Sequence, residues 1–251
     1  MSEAKPCSRC GDTGWVVRSG PSGPTAARCD CFSARRAAQL MERSNIPRRY
    51  QDCTFENFKP NHASQSDALK LARKFAANYP DQSVGLLFIG PCGVGKTHLS
   101  VALLRELIQV KSAHCLFYDF RDLLRDIQKT YAPESDLRES DILAPVFDSR
   151  VLVLDELGAQ RSSAWVEDTV FYIINHRYNQ KKLTVFTSNF LDAGEAEAPT
   201  PWKKETFKKD EDTLVDRIGV RLRSRIYEMC KVVAIEGSDF RQNIKQAGYR
   251  F

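Results

Sequence analysis

The sequence has no apolar run approaching the roughly 18–20 residues that a membrane-spanning helix needs. Its longest runs are strand-sized, such as Val84 to Ile89. The N-terminus, MSEAKPCSRC, lacks the apolar segment of a secretory signal. No internal repeat is present, and no histidine lies near the cysteines of the first 34 residues. These absences lead to the expectation of a chain with no membrane span, no secretory signal and no repeat architecture. What is present is a globular composition, 42% hydrophobic and 27% charged over 251 residues. That is room for one α/β domain with a small appendage. Eight cysteines without an export signal point to metal binding or free thiols and away from disulfides. The expectation is a soluble, cytoplasmic protein with no membrane contact.

The net charge of +5 is unevenly placed. Residues 1–60 carry ten Lys/Arg against six Asp/Glu, and the remaining 27 and 26 nearly cancel. Any nucleic-acid contact in the main domain therefore rests on local stripes and not on bulk charge. Three regions follow from composition: a cysteine-bearing module at 1–43, a Pro-interrupted extended linker at 44–65, and an α/β domain at 66–251. Strands are expected at Gly85–Ile89, Cys115–Tyr118, Val151–Leu154, Leu183–Thr187 and Val232–Ile235. Helices are expected near Ala34–Arg43, Thr97–Val110, Phe120–Tyr131, Ala164–Asn179 and Thr213–Met229. Strand-length runs alternating with helical patterns argue for a parallel sheet. Residues 192–212, rich in Pro and charge, read as a mobile insertion with net charge −3.

Gly90-Pro91-Cys92-Gly93-Val94-Gly95-Lys96-Thr97 matches the P-loop pattern in full, follows an apolar strand and opens an amphipathic helix; these residues and His98 are expected to bind the nucleotide. Backbone N–H groups of such a loop close on phosphate oxygens, Lys96 reaches the β/γ-phosphates and the Thr97 hydroxyl holds Mg²⁺. A glycine-rich turn with a stray Lys-Thr is the alternative, which the flanking strand and helix oppose. Val151-Leu-Val-Leu-Asp155-Glu156 supplies a buried strand ending in a Mg²⁺-binding Asp155, with Glu156 set to act as general base on water. The adjacent Asp-Glu pair favours NTP hydrolysis over transfer to a small molecule. Thr187-Ser188-Asn189 ends the next strand, where Asn189 would orient water or meet the γ-phosphate; an ordinary turn asparagine is the alternative. Arg217, Arg221 and Arg225 recur at four-residue spacing, with Arg223 nearby. They read either as a solvated basic face or as an arginine finger serving a neighbouring subunit.

In combination these pieces resemble the DnaC/IstB group of AAA+ ATPases, which comprises replicative-helicase loaders and transposition ATPases. IPRRYQDCTFENF at 46–58, RDLLRDIQKTY at 121–131, INHRY at 174–178, TSN at 187–189, RLRSRI and GSDFR carry the likeness, which spans about residues 44–245. The resemblance implies a five-stranded parallel sheet of order 5-1-4-3-2 with a reduced C-terminal lid, and ATP held between the subunits of a homo-oligomeric ring or spiral. It selects Arg225 as the trans-acting finger with Arg221 as helper, Asn189 as γ-phosphate sensor and Arg241 as a second sensor. It also implies single-stranded DNA binding by the helix after the second strand. There Arg121, Arg125 and Lys129 form one face opposite a buried Phe120-Leu123-Leu124-Ile127 stripe, with Asp122 and Asp126 among them.

Cys7-x₂-Cys10 and Cys29-x-Cys31 provide four thiolates, enough for a closed, structural Zn²⁺ site. Unligated thiols are the alternative. The remaining Cys53, Cys115 and Cys230 read as buried small hydrophobes. The function expected is an ATP-hydrolysing replication protein that assembles on single-stranded DNA and loads or remodels a replicative helicase, using ATP, Mg²⁺ and Zn²⁺. Its nearest rival is an IstB-like transposition ATPase acting on duplex DNA and a transposase. A P-loop metabolite kinase and a module that holds ATP without turnover are the readings from other classes.

Overall fold

The computed structural model of the chain describes residues 6–20, 23–192 and 212–243. An antiparallel hairpin of β1 (Trp15–Gly20) and β2 (Gly23–Arg28) leads into helix α1 (Asp30–Glu42). A single 3-10 turn at Arg48–Tyr50 and helix α2 (Ala63–Asn78) precede the α/β body. That body runs β3 (Gly85–Ile89), α3 (Lys96–Lys111), β4 (Cys115–Asp119), α4 (Phe120–Lys129), α5 (Glu139–Asp148), β5 (Val151–Asp155) and α6 (Ala164–Asn179). It continues through β6 (Leu183–Ser188), α7 (Leu214–Ile218), α8 (Val220–Met229), β7 (Cys230–Ala234) and α9 (Phe240–Asn243).

Strands β3 to β7 form one all-parallel sheet in the order β4-β5-β6-β3-β7. Counted among themselves along the chain, these strands stand in the expected order 5-1-4-3-2. Every residue of β3, β5 and β6 is buried, because helices cover both faces. Side chains alternate between faces. Phe88, Val151 and Val153 join α2 and α3 in one core, while Leu87, Leu152, Leu154 and Phe186 join α4, α5, α6 and α8 in the other. Among the described residues, no helix is long and apolar enough to cross a membrane.

The structure departs from the sequence reading in four regions. Between the two cysteine pairs, where no element was expected, Trp15–Gly20 and Gly23–Arg28 pair as the β1–β2 hairpin. The stretch expected as an extended linker lies on the body: Ile46, Phe55 and Phe58 are buried in the first core, and α2 begins at Ala63. Three apolar residues among polar ones show no period, so only the tertiary fold reveals their burial. Helix α5 occupies a region given no element, with Pro145 inside it and Leu143 and Val146 buried. The single helix expected over 213–229 is broken at Gly219, whose φ of 78° and ψ of 155° end α7 and restart α8. Arg217 therefore does not share one continuous helical face with Arg221 and Arg225. Residues 193–211, nearly all of the expected insertion, and residues 244–251 lie outside the described residues.

The INHRY stretch finds its physical reason in Arg177, which is fully buried on α6 with 0% exposure. Its guanidinium donates to the Val146 and Leu183 carbonyls at 2.6 Å, to the Ser149 carbonyl at 3.1 Å, and to the hydroxyls of Ser149 and Thr184 at 3.0 Å. Burial pushes it down to about 9, so it stays charged at neutral pH. One side chain thus ties the end of α5 and the start of β6 to α6. Arg177→Met should destabilise the fold by about 3 kcal/mol or more, since it strands several buried acceptors. Arg177→Lys should not rescue it, because a point charge cannot reproduce the fork. Urea denaturation reads both, as a lower midpoint at unchanged slope.

Candidate functional site

The carboxyl edge of β3, β5 and β6 gathers the site, since parallel strands bring their ends and following loops to one rim. The P-loop leaves β3 there, and the Gly90 N–H donates to the Ser188 carbonyl at the end of β6, 3.3 Å away. Lys96 is buried at 6% exposure and donates to the carbonyls of Gly90 at 2.8 Å and Pro91 at 2.6 Å. Burial lowers its amine to about 8. Val94 is buried and apolar, while Pro91 and Cys92 are exposed.

Thr97, in the first turn of α3, has its hydroxyl 3.0 Å from both oxygens of Asp155. Asp155 itself is only 4% exposed. Burial raises its carboxyl to about 6, against the hydrogen bonds from Thr187 and Thr97 that favour the charged form. A hydroxyl and a carboxylate converging beside a phosphate loop are a donor set that fits a hard divalent cation such as Mg²⁺. The Thr187 hydroxyl donates to Asp155 Oδ1 at 2.6 Å and accepts the N–H of Glu156 at 2.9 Å. Glu156 has a φ of 58°, in the left-handed region. Asn189 is half-buried directly after β6, beside the P-loop strand.

Two segments close over the loop. Phe240 N–H donates to the Gly93 carbonyl at 3.2 Å, and a Cβ on Gly93, at φ 78°, would run into the Asp239 carboxylate. Arg241 is exposed, with its Nη2 3.5 Å from the Tyr50 hydroxyl. Burial raises the Tyr50 phenol, and the charges it meets include Arg241, Asp155 and Glu156. His98 turns toward the N-terminal segment: its Nε2 lies 2.9 Å from the Thr54 carbonyl and its ring stands edge-on to Phe58. Tyr50 and Thr187 were missed as site residues. Both lie in stretches singled out in the sequence, but residue type alone gave neither a role.

The arginines disperse. Arg225 on α8 donates to Asn175 Oδ1 at 3.0 Å and stacks on Phe171 with its centroid 4.4 Å away, all on α6. Arg221 is exposed. Arg223 is taken by Asp192 in a two-pronged pair, and Arg217 donates to the Gly158 and Ala159 carbonyls. On α4 the expected buried stripe is in place, with Asp119 capping the helix. Arg125 pairs with Asp122 at 3.2 Å and Lys129 with Asp126 at 2.8 Å, whereas Arg121 donates to the Ala159 carbonyl at 3.1 Å.

Away from this rim, the sulfurs of Cys7, Cys10, Cys29 and Cys31 lie within 4.8 Å of one another. Cys7 and Cys29 stand 3.8 Å apart and Cys10 and Cys31 3.3 Å. Sulfurs around a tetrahedral zinc with Zn–S near 2.3 Å sit about 3.8 Å apart, so the four fit one such ion. The turn is set by Gly11 N–H to the Cys7 carbonyl and Thr13 N–H to the Cys10 carbonyl, at 2.8 and 3.1 Å. Arg28 bridges the Trp15 and Phe32 rings, joining the hairpin to α1, and α1 sets Ala37, Leu40 and Met41 against the first core. Cys115 and Cys230 are buried and Cys53 half-buried.

Residues 30–248 match the sequence pattern of the family described as IstB-like ATP binding protein. The chain belongs to that family. A crystal structure of the DnaC helicase loader superposes with a TM-score of 0.62 at 33% identity, covering 76% of this chain and 100% of that one. The replicative helicase loader DnaC of Buchnera aphidicola subsp. Schizaphis graminum is 29% identical over 161 residues, 64% of this chain. The match spans 65% of that relative's length. The phage-like element PBSX protein XkdC of Bacillus subtilis (strain 168) is 24% identical, with 97% of this chain and 87% of its own length covered.

The close approach at Gly93 makes a prediction that is independent of activity. Gly93→Ala should lower stability by about 1–3 kcal/mol through its positive φ and the displaced Asp239. Part of that loss should return in the Gly93→Ala/Asp239→Ala double variant, read as non-additivity in a thermal denaturation cycle.

Proposed function

We propose that this chain is an ATP-hydrolysing DNA replication protein that assembles with copies of itself on single-stranded DNA and loads or remodels a replicative helicase. The observation that carries the reading is the convergence of Lys96, Thr97, Asp155, Glu156 and Thr187 at one sheet edge. It occurs in a family member 33% identical to a DnaC helicase loader across that whole chain. Thr97 and Asp155 would hold Mg²⁺, which would supply positive charge to the phosphates. Lys96 holds the β/γ-phosphates, exchanging two carbonyl acceptors for charged oxygens. Glu156, fixed by its backbone bond to Thr187, polarises the attacking water, and Asn189 senses the γ-phosphate.

Arg225 acts on the nucleotide of a neighbouring subunit. Among the described residues its partners are Asn175, Phe171 and Tyr178 of α6, away from the P-loop of its own chain. Arg241, beside the Asp239–Phe240 segment that lies on Gly93 and 3.5 Å from the Tyr50 hydroxyl, serves as the second sensor. Helix α4 presents Arg125 and Lys129 to a phosphate backbone, and the cysteine module holds zinc and docks the client. The match to the family described as IstB-like ATP binding protein keeps a second reading beside it, an IstB-like transposition ATPase acting on duplex DNA and a transposase. Client binding separates the two, because a loader is retained by a hexameric replicative helicase.

Steady-state turnover against protein concentration, with and without single-stranded DNA, tests the reading. Wild-type turnover per protomer should rise with both. Arg225→Ala and Glu156→Gln should still bind ATP while losing turnover by roughly 10²-fold or more. Concentration-independent turnover that Arg225→Ala leaves intact would remove the trans finger. For the cysteine cluster, metal analysis should find one zinc per chain, lost in the Cys10→Ser/Cys29→Ser variant while ATP binding persists. A metal-free chain with all four thiols reduced and the module folded would refute the zinc assignment.

A further inference from the structure

The turn that follows Glu156 is gripped from two sides. Ala159 N–H closes it onto the Glu156 carbonyl at 2.9 Å, and Leu157 N–H is held by the Thr187 carbonyl at 2.8 Å. From α7, Arg217 donates through Nε to the Gly158 carbonyl at 2.8 Å and through Nη2 to the Ala159 carbonyl at 3.2 Å. From the first turn of α4, Arg121 Nη2 donates to the same Ala159 carbonyl at 3.1 Å. Two guanidinium groups from separate helices thus share one backbone acceptor three residues beyond a glutamate whose φ is 58°. A non-glycine residue holds that conformation only where its surroundings over-determine it.

Arg121 also differs from the other cations of its helix. Arg125 and Lys129 are paired with Asp122 and Asp126, while Arg121 has no carboxylate within salt-bridge range among the described residues. Its helix starts at Asp119, which lies in register with Asp155 on the neighbouring strand. The first turn of α4 and the turn after Glu156 are therefore adjacent by sheet topology, and Arg121 is the side chain that joins them.

We propose that Arg121 is a positioning residue for Glu156, coupling what α4 binds to the rate of hydrolysis. This rests on the proposed ATPase that binds single-stranded DNA through α4. A phosphate oxygen is a stronger acceptor than a neutral carbonyl, because charge-assisted hydrogen bonds are roughly twice as strong. A phosphate arriving at α4 draws Arg121 from Ala159, leaves Arg217 as the one guanidinium on that carbonyl, and so resets the backbone that aims Glu156. The response needs one guanidinium to change partner, and its two acceptors supply the differential binding that any such shift requires.

The test is steady-state ATPase of the full chain, wild type, Arg121→Gln and Arg217→Gln, across ATP and across an oligothymidylate titration. Thermal melting shows that each variant is folded. Arg121→Gln should keep its KM for ATP within about twofold, shift DNA-free kcat by roughly fivefold or more, and respond less than about twofold to saturating oligothymidylate. Arg217→Gln should shift kcat through the same turn and keep its response to DNA. Recovery of the full wild-type response by Arg121→Gln at higher DNA concentration would overturn the proposal and make Arg121 a simple phosphate ligand. So would a variant indistinguishable from wild type. A wild-type chain that hydrolyses no ATP, or ignores DNA, overturns the underlying reading instead, and this is seen before any variant is compared.

Discussion

A carboxylate at the end of a central parallel strand is costly to bury, and the architecture of this protein turns on how Asp155 is accommodated. At 4% exposure it has lost nearly all its water, and burial raises its carboxyl to about 6. Two hydroxyls oppose that rise: Thr97 from the start of α3 and Thr187 from β6. The donors that make the charge tolerable are also the parts a phosphate site needs together. Thr97 brings the P-loop helix, and Thr187 brings the strand that ends at Asn189 while binding the Glu156 backbone. The two hydroxyls that make the buried charge tolerable are thus the same two that join the P-loop helix and β6 to Asp155 on β5.

The rim is also roofed from both ends of the described chain. Ile46, Phe55 and Phe58 sink into the first core, and the intervening Tyr50 reaches the neighbourhood of Asp155, Glu156 and Arg241. From the other end, Asp239 lies over Gly93. Segments that look like connectors therefore complete the nucleotide site. Helix α1, which follows the cysteine module, packs on that same core before the chain reaches the Tyr50 turn.

Arginine shows how one residue type divides by partner. Arg177 is buried among neutral acceptors and acts as a structural brace. Arg217 and Arg121 hold backbone carbonyls, Arg223 meets the Asp192 carboxylate, and Arg225 lies on aromatic rings of α6. A planar fork of five donors makes each of these possible. Spacing along the chain distinguishes none of them, and the break at Gly219 dissolves the face that four-residue spacing implied.

The sheet and its main site were legible in the sequence because they depend on local rules. Continuous apolar runs mark strands covered on both faces, and a P-loop or a strand ending in Asp-Glu reports its own chemistry wherever it folds. Gly90 to Thr97, Asp155, Glu156 and the four clustered cysteines belong to this class. The roles of Tyr50, Thr187, Arg121 and Arg177 do not, because each is set by a partner distant in sequence: Arg241, Asp155, Ala159 and Val146 respectively. Which atom a polar side chain meets across the fold is a property of strand order and helix placement. The sequence alone determined what chemistry was available at the sheet edge, and only the tertiary structure decided which side chains aim it.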